Sequence, residues 1–313
     1  LVTMRWWDDL WLNESFATYL AYKALDAAYP QWKMWDDFMD RETSAAMSRD
    51  SLRNTHPIQA EIKSPAEIEQ VFDDISYGKG ASILRMIEAY IGSDGFRKGV
   101  ASYLGRYRFS NAVGSDFWRS LEEASGKKIA TIMEEWVKKP GYPVLTAEVC
   151  GNKLMVRQER FILSGTHEKG VWPVPVTMRL DGRSRALLLD REERIVDIRA
   201  AKSLKLNVDQ TGFYRVYCRG FSRGEPSALD RWGIASDALA FLMAGMMSFD
   251  DYLTLIRGYY NERDSLPALE VSSQLALLYS IAQSGVARVS GEFHRSQLDI
   301  LDGKSDENAR VLQ

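Results

Sequence analysis

Apolar residues change their spacing at Pro143, and that change divides the chain into stretches that cannot share one type of secondary structure. Before it, the spacing is helical: Leu10, Ala17, Ala21 and Ala24 fall along one helix face. Pro30 ends that pattern or opens the next helix in its first turn. QWKMWDDFMDRETSAAM is a second helical stretch. His56-Pro57 reads as a turn dipeptide, and Ser64-Pro65 as a helix start with Glu67 in the first turn. Gly78 and Gly80 punctuate AEIEQVFDDIS and ASILRMIEAYIG. Three more helical patterns follow: DGFRKGVASYLGRY, GSDFWRSLEEASG and KIATIMEEWVKKPGYP.

From Pro143 to Cys218 the period is two. Leu145, Ala147 and Val149 alternate with polar neighbours, as do Val176, Met178 and Leu180, and Leu204, Leu206 and Val208. Gly151-Asn152, Asp181-Gly182 and Gln210-Thr211-Gly212 are the turn signals between runs. About seven short strands are predicted, enough for a small β-sandwich. RGFSRGEPSA reads as a linker, and helical patterns fill the rest. The division is therefore 1–142 helical, 143–218 β, and 219–313 helical.

Composition removes several function classes. Apolar runs fall short of the ~18–20 residues of a membrane-spanning helix. A net charge of −3 leaves no basic excess for nucleic acid. Two cysteines cannot staple a fold and fit a reducing, cytoplasmic setting. The three histidines (His56, His167, His294) are isolated, so no histidine-rich metal site is expected within the chain. The chain opens on Leu1, and SDENARVLQ reads as a helix stopped in its first turns; a fragment cut at both ends is the expectation.

Glu14 is the most informative residue. Its helical neighbours are Leu10, Trp11, Ala17 and Thr18, and none is a cation. A carboxylate on an apolar face is costly unless paired, protonated or metal-bound. Either it meets an arginine from elsewhere, or sits at the rim of the stripe, or binds an ion. Tyr77, followed by Gly-Lys-Gly, is either a core tyrosine at a helix junction or a phenol aimed at an oxyanion. Lys79 lacks the glycine pattern of a phosphate loop. Asp8-Asp9 and Asp36-Asp37 read as helix-capping or solvated residues. The cluster Trp6, Trp7 and Trp11 reads as core.

Whole segments also resemble a known family. LVTMRWWDDLWLNESFATYL resembles the stretch after the HExxH helix in gluzincin-type zinc aminopeptidases, the M1 family, and VFDDISYGKGASILRMIEAYIG resembles the family's second block. EEWVKKPGYPV, GFYRVYC and LDRWGIASDALAF extend the likeness over essentially the whole chain. The NTHPI and SYGKGASILRMIE phrases look closest to archaeal members that partner the tricorn protease.

The resemblance implies a multidomain α+β chain: the helical half of a thermolysin-like catalytic domain, a small β-sandwich, and the start of a helical C-terminal domain. It implies that Glu14, in W-x-x-D-L-W-L-N-E, is a ligand of one Zn2+, and that Tyr77 stabilises the tetrahedral oxyanion. Thr18, one turn on, is expected to orient the Glu14 carboxylate. Short peptides are the implied substrates, and a larger cytosolic, tricorn-like protease the implied partner. The HExxH helix and the amine-binding G-A-M-E-N segment are not among these residues. The isolated chain is therefore expected to hold zinc weakly and cleave nothing, with its tryptophan cluster uncovered. Ser15 stands where the family more often has glycine, and the linker after Cys218 is short. The alternative is a metal-free family member that binds peptides or serves as a scaffold.

Overall fold

The computed structural model describes residues 1–60, 62, 72–165, 168–199, 201–218 and 224–311, the last eight of these as backbone only. The helix start at Ser64-Pro65 with Glu67, His167, and 219–223 of the expected linker lie outside the described residues. Contacts group the chain into two compact units, Leu1–Ile162 with His167–Gly224, and Leu163–Thr166 with Glu225–Gln313.

The first unit opens with a short strand, Thr3–Met4 (β1). Its long first helix is Leu10–Ala28 (α1). Met34–Asp37 (α2) runs through a π-helical stretch, Phe38–Thr43, into Ser44–Asp50 (α3). A second π-helical stretch, Ile75–Lys79, leads into Gly80–Ile91 (α4). Ser93–Arg106 (α5), Asn111–Ala112 (β2), Gly114–Ser125 (α6) and Ala130–Lys138 (α7) complete the region. β1 and β2 form a two-residue parallel ladder that the helical reading of this region did not include.

The helical core is aromatic. Trp11 stacks on Trp118 with centroids 5.6 Å apart, and Phe117 meets Phe16, Phe96 and Tyr103 edge-on. Only one member of the expected tryptophan core is therefore inside: Trp11 is buried, whereas Trp6 is 61% exposed and Trp7 38%. Trp7 belongs to a one-turn 3₁₀ helix ahead of α1, none of whose residues is buried. Asp9 stands at the α1 N-cap position without capping it. Its carboxylate instead accepts the Gly114 N–H at 3.1 Å, the first amide of α6. The capping chemistry is as expected, but it serves another helix.

Seven strands follow: Pro143–Cys150 (β3), Lys153–Arg160 (β4), Val174–Leu180 (β5), Arg183–Leu189 (β6), Glu193–Asp197 (β7), Leu204–Leu206 (β8) and Arg215–Cys218 (β9). They make a four-stranded sheet in the order β7-β4-β3-β9 and a three-stranded sheet in the order β6-β5-β8. β3 and β4 pair antiparallel across the Gly151-Asn152 hairpin, while β9 joins β3 in parallel. Leu154, Val156, Val174, Val176, Met178 and Leu189 are fully buried. The Asp181-Gly182 hairpin has both residues at positive φ, 43° and 79°, as a tight primed turn requires.

The second unit is helical: Ala228–Met243 (α8), Phe249–Arg257 (α9), Ser265–Ile281 (α10) and Gln283–Val311 (α11). Ser227 and Asp230 form a reciprocal capping box that starts α8. Tyr252, Ile256, Val271, Leu275, Val286 and Phe293 form its core. Of SDENARVLQ, the described residues 305–311 form the end of the long α11, not the first turns of a new helix. Among the described residues no helix is long and apolar enough to cross a membrane.

Candidate active site

Glu14 lies in the second turn of α1 and is half-buried; Tyr77 lies in the π-helical stretch before α4 and is also half-buried. The two elements meet at Ser15 and Gly80. A Cβ on Gly80 would stand 1.9 Å from Ser15 Oγ and 2.9 Å from Ser15 Cβ. A Cβ on Gly78 would stand 2.5 Å from the carbonyl oxygen of Glu42. The two glycines thus let the Tyr77 turn approach α1 on one side and the Phe38–Thr43 stretch on the other. The Ser15 hydroxyl donates to the Ser76 carbonyl at 2.5 Å, tying α1 to the residue before Tyr77.

The turn itself is wide. The Tyr77 amide donates to the Asp73 carbonyl at 3.0 Å, and the Lys79 amide reaches back five residues to the Asp74 carbonyl at 2.9 Å. Single π turns of this kind often mark functional positions. The Asp73 Oδ1 accepts the Ile75 and Ser76 amides at 3.0 and 3.2 Å. The result presents the Tyr77 phenol to the Glu14 carboxylate. Burial, then a hydrogen bond to Glu14 and its negative charge, push the phenol up to about 12, so it keeps its proton at neutral pH. Phe72, 46% exposed, flanks the phenol ring with centroids 6.5 Å apart.

Thr18 donates its hydroxyl to the main-chain carbonyl of Glu14 at 2.9 Å, so its proton goes to the helix backbone. Lys79 is fully buried, 2.8 Å from Asp50, and also donates to the carbonyls of Lys139 and Gly141. Burial lowers its pKa, opposed by Asp50. His56 is more than a turn residue: its Nε2 lies 2.7 Å from Asp73 Oδ2. The sequence signal for this pair is faint, an aspartate placed just where a turn needs its first amides accepted.

A catalytic zinc takes three protein ligands and leaves one position open. Among the described residues no three His, Cys, Asp or Glu side chains stand together as a metal site. Glu14 is a single donor. The described residues do not by themselves fit a zinc ion.

Residues 1–136 match the peptidase family M1 domain, and residues 203–307 match the ERAP1-like C-terminal domain. The chain belongs to the M1 peptidase family. It is 46% identical to a leucyl aminopeptidase of Saccharolobus solfataricus over 99% of this chain and 40% of that protein. It is 48% identical to the tricorn protease-interacting factor F2 of Thermoplasma acidophilum, over 89% of this chain and 36% of that protein. Aminopeptidase M1-D of Oryza sativa is 35% identical over 96% of this chain and 37% of that protein. The chain thus spans about two fifths of the curated relatives it matches.

Proposed function

We propose that this M1-family chain supplies one side of the active centre of a zinc aminopeptidase that removes N-terminal residues from short peptides. Glu14 would be one donor to the zinc, the other donors coming from an HExxH helix outside these 313 residues. Tyr77 would donate its phenolic proton to the oxygen that becomes negative when the peptide carbonyl is attacked. Thr18 would act on Glu14 only through the main chain, holding the helix turn beneath it.

The observation that carries this reading is that the Ser15–Gly80 crossing brings together the two elements that carry the half-buried Glu14 carboxylate and the half-buried Tyr77 phenol, close enough for the carboxylate to raise the phenol's pKa. A core tyrosine has no need of a carboxylate partner, and a rim carboxylate has no need of a phenol. The likeness to a tricorn protease-interacting factor supports a larger, tricorn-like protease as partner; in this reading that protease supplies the peptides and both work in the cytoplasm.

The test is zinc content. In a polypeptide joining this chain to an HExxH segment, Glu14→Ala should lose zinc. A variant that retains zinc at the parent level would remove Glu14 from the ligand set. Clean loss of peptide cleavage with no zinc in the parent would favour the metal-free, peptide-binding alternative.

A further inference from the structure

The start of the Tyr77 turn is held by a pair that the proposed chemistry does not use. His56 Nδ1 lies 2.8 Å from the Pro57 carbonyl oxygen, and His56 Nε2 lies 2.7 Å from Asp73 Oδ2. Both partners accept and neither donates. A neutral imidazole has one N–H, so satisfying both contacts takes the imidazolium. The other Asp73 oxygen accepts the Ile75 and Ser76 amides, the residues directly ahead of Tyr77.

We propose that His56 and Asp73 are positioning residues for the Tyr77 phenol, a cation–carboxylate pair that locks the π turn on which it is carried. The inference rests on Tyr77 being the oxyanion donor. A turn wider than an α-helix is open to slipping back into α register, which would swing the residue at its centre around the helix axis. Asp73 prevents this by fixing two amides at once, and His56 keeps Asp73 ionised and aimed. The groups that face the imidazole agree. Its pKa is raised first by the Asp73 hydrogen bond, against burial, with Pro57 adding and the nearby Arg49 cation opposing. In the same pair the Asp73 carboxyl is raised by burial but lowered overall by His56 and the two amides.

Two measurements test it. Long-range 15N–1H correlation on the 313-residue chain, which has three histidines, reads ring protonation directly. At about pH 6.5, the ordinary midpoint, His56 should carry protons on both nitrogens in clearly more than half of the molecules, and Asp73→Asn should bring it back toward an equal mixture with the one-N–H form. A single neutral tautomer in the parent would overturn the proposal. In the active polypeptide, His56→Gln should lower kcat about tenfold with KM unchanged, since a small misplacement of a donor costs rate rather than binding. Combined with Tyr77→Phe, it should cost nothing beyond Tyr77→Phe alone. Unchanged kcat in His56→Gln, or losses that multiply in the double variant, would overturn it. Normal turnover of Tyr77→Phe would overturn the reading of Tyr77 itself, whatever His56→Gln does.

Discussion

The Ser15 hydroxyl occupies the space that a side chain on residue 80 would need, 1.9 Å from the position of its Cβ. This contact sets the distance between α1 and α4 and therefore between Glu14 and Tyr77. Gly80→Ala should destabilise the chain by about 1–3 kcal/mol, because Oγ is fixed on Ser76 and the Ser15 Cβ is also too close. Ser15→Gly removes both atoms, so the pair Ser15→Gly with Gly80→Ala should recover most of the loss. Urea unfolding of the three variants checks this; a double variant no better than Gly80→Ala would show that the crossing is not what limits residue 80.

The Lys79–Asp50 pair is entirely shielded from water. Lys79→Met should cost on the order of 3–5 kcal/mol by stranding a buried carboxylate. Asp50 keeps the Gly141 amide and the Thr55 hydroxyl as donors, which places the loss near the lower end. Equilibrium denaturation would measure it, and a change under 1 kcal/mol would mean that the carboxyl takes up a proton at no cost.

Much of the fold was legible from the spacing of apolar residues. The switch at Pro143, the seven strands and the helices on either side follow from it, because period is a local property. What escaped is set by partners distant in sequence. Asp9 caps α6 rather than its own helix, Trp6 and Trp7 stay exposed while Trp11 is covered by Trp118, and Arg85 donates to the Asp209 and Gln210 carbonyls. Glu14 and Tyr77 were readable only through likeness to a family, since no spacing rule brings a helix and a later turn together. The glycines flanking Lys79 hinted at close approach but not at what is approached.

The His56–Asp73 pair should leave a signature in stability against pH. The His56 pKa is raised, so its contribution is complete below the ordinary imidazole value and fades as pH climbs through the raised one. The Asp73 pKa is lowered, so its contribution is complete above the ordinary carboxylate value and fades as pH drops through the lowered one. The stability difference between the parent and Asp73→Asn should therefore be greatest between those limits and shrink on the alkaline side. A difference that stays level from about pH 6 to 9 would mean that the imidazolium contributes nothing.

The 313-residue chain taken alone should bind zinc weakly and release no amino acid from an aminoacyl fluorogenic peptide, since its described residues bring no three metal donors together. Equilibrium dialysis against zinc and a turnover assay check both. Tight one-to-one binding would mean that donors other than Glu14 assemble within these residues.

The most direct test of the Glu14–Tyr77 site is kcat for Tyr77→Phe, measured with zinc content in a polypeptide that also carries the HExxH helix. Zinc should be unchanged and kcat should fall by about 10²–10³, the loss typical of one removed oxyanion donor. Near-normal kcat with zinc in place would show that the phenol does not serve the reaction, and the reading of this site as one side of a peptidase centre would fail with it.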